Sequence, residues 1–104
     1  MKKDVALLHN AYPSSLRDYV EQRLDGLGRF NERMTAVRAV LDHQHNDHRV
    51  ELVASIGGSG PLVVEAMAHS PRLALKHALA SLTTSLKRQR TKFLDSRHHA
   101  GPPR

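Results

Sequence analysis

The chain has 104 residues, 39% of them hydrophobic and 25% charged, which bounds it to one globular domain with a single core of modest stability. Sixteen Lys and Arg against ten Asp and Glu leave a formal charge of +6, with a pI near 10.3, and a surplus of that size favours nucleic acid or an anionic membrane as partner. Cysteine is absent, which excludes disulfides, thiolate catalysis and Cys-ligated zinc, and with no Trp and only 4% aromatics the core has to be built from Leu, Val, Ala and Met.

Met1-Lys2-Lys3 is followed by a short apolar run, Val5-Ala6-Leu7-Leu8, too brief for a secretory signal core. No stretch approaches the roughly 18 apolar residues of a membrane span, so a soluble, cytoplasmic protein is expected. Val5 to Leu8 reads instead as a first strand. Tyr12-Pro13-Ser14-Ser15 breaks that pattern, and Ser15 with Asp18 forms a capping-box-like helix start. Leu16, Tyr19, Val20, Leu24 and Leu27 recur at helical spacing and predict a helix over about Ser15 to Leu27, with Gly26 and Gly28 at its natural stop.

Three strands follow. Thr35 to His43 alternates, with Val37, Ala39 and Leu41 on one side and Arg38, Val40 and Asp42 on the other. Gln44-His45-Asn46-Asp47-His48 is a polar turn. Arg49 to Ile56 alternates again, turning Val50, Leu52, Ala54 and Ile56 inward, and Gly57-Gly58-Ser59-Gly60-Pro61 is a second turn. Leu62 to Ala68 gives the fourth strand. Ser70 and Pro71 are an N-cap and first-turn proline. Leu75, Leu79, Leu82, Leu86 and Phe93 then mark a helix from about Pro71 to Asp95, roughly 37 Å long at 1.5 Å per residue. Residues 97–104 read as a disordered basic tail after a domain spanning residues 1–96.

Strand, helix, three strands, helix predicts an α+β fold. It is a β-α-β-β-β-α two-layer sandwich whose four-stranded mixed sheet carries both helices on one face, as in double-stranded RNA-binding domains. The first strand runs parallel to its neighbour through a right-handed crossover. The alternation leaves Arg38, Val40, Glu51, Val53, Val63, Glu65 and Met67 on the open face, a partly apolar surface suited to weak homodimerisation.

The densest charge lies in Lys87-Arg88-Gln89-Arg90-Thr91-Lys92-Phe93-Leu94-Asp95-Ser96-Arg97, which holds five cationic residues and one acidic one. On a helical wheel Arg72, Lys76, Lys87 and Arg90 fall within about 60° of one another beside the Leu stripe, with Arg88 and Lys92 further round. Compensation of a helix dipole needs fewer cations than this, so the row is read as a nucleic-acid contact. His43-Gln44-His45-Asn46-Asp47-His48 has the chemistry of zinc or nickel ligands, but a hairpin turn offers no evident supporting partners and is read as a polar turn, with contact of its His to phosphates or bases as the middle reading. Gly57-Gly58-Ser59-Gly60 matches the G-x-x-G of a KH-type RNA clamp, yet it lies between strands rather than helices and is read as a hairpin turn. No nucleophile elbow, phosphate-binding loop or HExxH is present, so no catalytic residue, cofactor, metal or small-molecule substrate is expected.

Leu16-Arg17-Asp18-Tyr19-Val20-Glu21-Gln22-Arg23-Leu24 resembles the first-helix phrase of the ribosome hibernation promoting factors, the family that includes the ribosome-associated inhibitor, or protein Y. Ala74-Leu75-Lys76-His77-Ala78 and Leu86-Lys87-Arg88-Gln89-Arg90 resemble its second helix, and the order of elements agrees to about residue 94. The chain departs from the family pattern at Leu8-His9-Asn10, at His69-Ser70-Pro71-Arg72 and at Lys76-His77, each time toward a more basic or less acidic surface. The resemblance implies a short-form member that docks on the small ribosomal subunit, contacts rRNA, occupies the mRNA and tRNA channel and silences translation in idle cells. It implies contact through the basic surface of the helices, where the charge pattern marks Arg72, Lys76, Lys87, Arg88, Arg90, Lys92 and Arg97, with Arg23 and Arg29, as the expected rRNA-binding residues. The alternative reading is a general double-stranded RNA-binding module.

Overall fold

A computed structural model describes residues 1–99, with side chains described to residue 95. Its elements run β1 (Lys2–Leu7), α1 (Ser14–Asp25), a 3-10 turn (Gly26–Phe30), β2 (Met34–Gln44), β3 (Asp47–Ile56), β4 (Leu62–Ala68) and α2 (Pro71–His99). The sheet order is β1-β2-β3-β4, with β1 parallel to β2 and the other pairs antiparallel. This is the predicted β-α-β-β-β-α sandwich.

The alternating strands fold as their pattern dictates, because only one face of the sheet is covered. Val37, Ala39 and Leu41 of β2 and Val50, Leu52, Ala54 and Ile56 of β3 are buried. Above them lie Leu16, Val20 and Leu24 of α1 and Ala74, Leu75, Ala78, Leu79, Leu82 and Leu86 of α2. α1 packs over β1, and α2 over β3 and β4.

Several boundaries differ from those read in the sequence, each for a physical reason. β1 starts at Lys2, not Val5, because ladder pairing with Ala36 to Leu41 is made by backbone and tolerates polar side chains. α1 starts at Ser14 behind Pro13 with no side-chain cap, so the Ser15–Asp18 capping box does not form. Gly26 keeps right-handed angles (φ −77°) and passes the chain into the 3-10 turn, so it is not the left-handed stop that a helix-ending glycine often makes. The β2–β3 turn tightens to His45-Asn46, with Gln44 paired to Asp47 and His45 at φ +56°, a conformation uncommon outside Gly, Asn and Asp.

The start of α2 is as predicted: Ser70 Oγ accepts from the Leu73 N–H at 3.2 Å, and Pro71 occupies the first turn. α2 continues past Asp95 to His99, since Ser96-Arg97-His98-His99 contains no helix breaker. Of the tail expected from residue 97, residues 100–104 lie outside the described residues. With 29 residues, α2 is about 43 Å long. Among the described residues its last fully buried side chain is Leu86, beyond which the described side chains, to residue 95, are exposed or half-buried.

Where α2 leaves the body it is pinned. Asn31, the one buried polar residue among those described, donates through Nδ2 to the Leu86 carbonyl at 3.1 Å and to Gln89 Oε1 at 2.9 Å. Its Oδ1 accepts the Arg33 N–H at 3.0 Å. Two hydrogen bonds from one buried amide fix the departure point of the basic segment, and the third, from the Arg33 N–H, holds the amide itself in place.

Candidate nucleic-acid interface

Arg23, Arg29, Arg72, Lys76, Lys87, Arg88, Arg90 and Lys92 are all exposed, and the first five gather along the seam between α1 and α2. Two aromatic rings organise that seam. Tyr19 on α1 receives Arg72 of α2, with the guanidinium carbon 4.3 Å from the ring centroid, and Arg23 of α1 at 6.0 Å. Phe30, at the end of the 3-10 turn, receives Arg29 at 4.8 Å and the Lys87 ammonium at 5.1 Å. Each ring thus joins a cation from the first helical segment to one from α2. Cations over ring faces are held electrostatically, by about 0.5–1 kcal/mol at exposed sites, and keep their full charge toward solvent. Lys76 stands one turn after Arg72 on the same side of α2.

Arg90 behaves differently from the expectation. Its Nε lies 2.9 Å from a Glu32 carboxylate oxygen, so its charge is answered within the molecule. A backbone hydrogen bond at Glu32 itself, followed by the one from Arg90, holds the Glu32 carboxyl below its usual range. The Arg97 side chain lies outside the described residues. Among the described residues, Arg90 is the one predicted contact that a carboxylate holds.

Arg88 and Lys92 turn to the other flank of α2, where they line a cleft of about 510 Å³ with Arg33 and Phe93. The Arg33 guanidinium lies 3.7 Å from the Phe93 ring centroid and donates to the Gly57 carbonyl. The glycine turn is therefore a hairpin, as read, but one that also positions a cation.

Sequence reasoning missed Tyr19, Phe30, Asn31, Arg33 and Phe93 as organisers of the site. Tyr19 and Arg23 are four apart on one helix and so were open to detection as a surface pair. The contacts of Asn31 with Leu86 and Gln89 span 55 and 58 residues, and Arg33 meets Gly57 and Phe93 only in the fold, so neither leaves a local signal.

The His-rich turn joins a ring cluster at the far end of the sheet. His43 stacks on His48 with centroids 4.5 Å apart, His9 meets His43 edge-on at 4.9 Å, and Tyr12 Oη lies 2.7 Å from His48 Nδ1. Among the described residues no group of three or more His, Asp or Glu is arranged to hold a metal. No described helix is long and apolar enough to cross a membrane.

A family model described as sigma 54 modulation protein / S30EA ribosomal protein matches residues 9–93. The crystal structure of the Thermus thermophilus Protein Y N-terminal domain is 26% identical, with a TM-score of 0.75 over 86% of this chain and 100% of that one. A ribosomal subunit interface protein from Coxiella burnetii shares the fold at 14% identity, with a TM-score of 0.75 over 88% of this chain and 99% of the other. No curated protein sequence gives a significant match.

Proposed function

The chain belongs to the sigma 54 modulation protein / S30EA ribosomal protein family of ribosome-associated hibernation and subunit-interface proteins, and from that premise we propose that it binds the small ribosomal subunit through rRNA. Bound there, it blocks the mRNA and tRNA channel and silences translation in idle cells. The carrying observation is the α1–α2 seam, where Arg23, Arg29, Arg72 and Lys87 are set on two aromatic rings with their charge left for an external anion. Folded rRNA is recognised by shape and by phosphate contacts more than by base edges. A stiff cationic helix pinned at its exit point suits that demand, because its charges need no ordering on binding.

The protein works in the cytoplasm, where ribosomes are, and acts by occupancy rather than by chemistry. The open sheet face supports weak self-association, since Val63 and Met67 remain 58% and 45% exposed there; a strictly monomeric protein at high concentration would remove that part. The main reading is tested by sedimenting lysate from stationary cells at physiological salt. Protein in the small-subunit and whole-ribosome fractions is expected. Protein left at the top of the gradient, with equal affinity for any plain RNA duplex, would favour a general double-stranded RNA binder instead.

A further inference from the structure

The cleft on the second flank of α2 is not part of the α1–α2 seam and has a composition of its own. Three cations converge on it: Arg33 from the segment before β2, and Arg88 and Lys92 from α2. Arg33 is preorganised. It donates to the Gly57 carbonyl, lies over the Phe93 ring, and has further N–H donors to offer, since a guanidinium carries five. Gly58 makes room for it: at φ +77° no other residue fits easily, and a Cβ there would come within 2.2 Å of Arg33 Nη2. The acid next to Arg33 in sequence, Glu32, is engaged by Arg90. The walls add hydroxyls from Ser59 and Ser85 and the apolar side chain of Leu62.

We propose that this cleft binds a nucleoside monophosphate unit, with the phosphate on Arg33, Arg88 and Lys92 and the base across Leu62 and the Arg33–Phe93 stack. Fixed guanidinium donors match phosphate oxygens in charge and geometry. Guanidinium planes and aromatic rings are also the surfaces on which unpaired bases stack. A volume of about 510 Å³ lies within the range of small-molecule pockets. The unit comes either from a free nucleotide or from a splayed nucleotide of an RNA strand. The RNA source deepens the ribosome reading and rests on it, whereas binding of the nucleotide itself does not.

The test is a titration of isotope-labelled full-length protein followed by amide NMR. The probes are adenosine monophosphate, adenosine without phosphate, and a single-stranded adenosine pentamer. Adenosine monophosphate is expected to shift the amides of Gly58, Ser59, Ser85 and Gln89, and adenosine to leave them in place. Arg33→Gln should weaken the response at least tenfold, and so should the exposed Arg88→Gln, which keeps the test valid if Arg33→Gln unfolds. Arg72→Gln, on the opposite seam, should leave the response unchanged. A pentamer binding these amides more tightly than the mononucleotide assigns the unit to RNA, and equal or weaker binding assigns it to free nucleotide. Shifts confined to the seam near Tyr19 and Phe30, or a cleft response that survives both cleft variants, would overturn the proposal. Ribosome sedimentation run alongside separates the two readings, because an unmutated protein that associates with ribosomes but gives no cleft response to adenosine monophosphate sinks only this one.

Discussion

On the open face of the sheet the arginines are answered by carboxylates. Arg38 lies 3.4 Å from Asp4, and Arg49 reaches Glu51 at 3.2 Å and Glu65 at 2.6 Å. The Arg49 hydrogen bond holds Glu65 below the usual carboxylate range, and Glu65 in turn raises Arg49. On the helix face Arg23, Arg29, Arg72 and Lys87 lie over Tyr19 and Phe30, and carboxylates are engaged only by Arg90 among the predicted contacts described. One protein therefore handles its positive charge in two ways. Exposed ion pairs add little stability, but they cancel the field of the sheet. Rings leave the field of the helices intact while limiting where each cation can go. The formal +6 is thus a sum unevenly shared, with the arginines of the open sheet face paired to carboxylates and the ring-held cations of the helix face left unpaired among the described residues.

Reversing charge on each face in turn gives the largest expected contrast. Lys87, Arg88 and Lys92 changed together to Glu should abolish ribosome co-sedimentation at physiological salt. Stability should stay within about 1 kcal/mol of the parent, as for other exposed sites. Arg38→Glu on the sheet should leave ribosome association intact. Retained binding in the helix variant, or loss in the sheet variant, would exchange the roles of the faces.

The contrast sharpens with ionic strength. If about five phosphates are neutralised by the helix face, affinity should fall a few hundred-fold between about 50 and 200 mM salt. Fluorescence titration across that range measures the slope, and a flat response would mean that the seam does not carry the binding.

Next in size is the pin between the two regions. Asn31→Ala removes three hydrogen bonds from a buried site and should cost about 1–3 kcal/mol, read as a lower urea midpoint. Ribosome affinity should fall as well, because the distal half of α2 loses its fixed departure angle. Normal affinity in a destabilised variant would show that the angle is not used.

The smallest effect belongs to the ring cluster at the far end of the sheet. Burial, then the neighbouring His43 and His9, hold His48 below the ordinary histidine value, with Asp47 opposing. The unfolded chain then takes up the proton at a higher pH than the folded one. Stability from this group is complete above about pH 6.5 and declines as pH falls through the lower folded value. The thermal midpoint should drop between about pH 7 and about pH 5.5, and drop less in His48→Gln. The shift should be smaller than that of Asn31→Ala, and equal drops in both proteins would remove His48 as its source.

The strands and α2 were legible because their apolar spacing answers to one covered sheet face: Val50, Leu52 and Ala54 have no other way to be dry. The start of β1 was not legible, since backbone pairing rather than side-chain pattern brings in Lys2 and Lys3. Gly26 misled for a related reason, because glycine permits a left-handed stop without requiring one. The row of cations on α2 was visible in the sequence. What organises it was not, because Arg90–Glu32 and Asn31–Gln89 are each 58 residues apart and Arg33 meets Phe93 only in the fold.

The α1–α2 seam, with its cations on Tyr19 and Phe30, is the surface proposed to face ribosomal RNA. A density map of the protein bound to ribosomes, at a resolution that orients its two layers, tests this most directly. Both helices are expected against rRNA of the small subunit, with the sheet turned away. A map with the sheet's open face on the ribosome and the seam in solvent would contradict it.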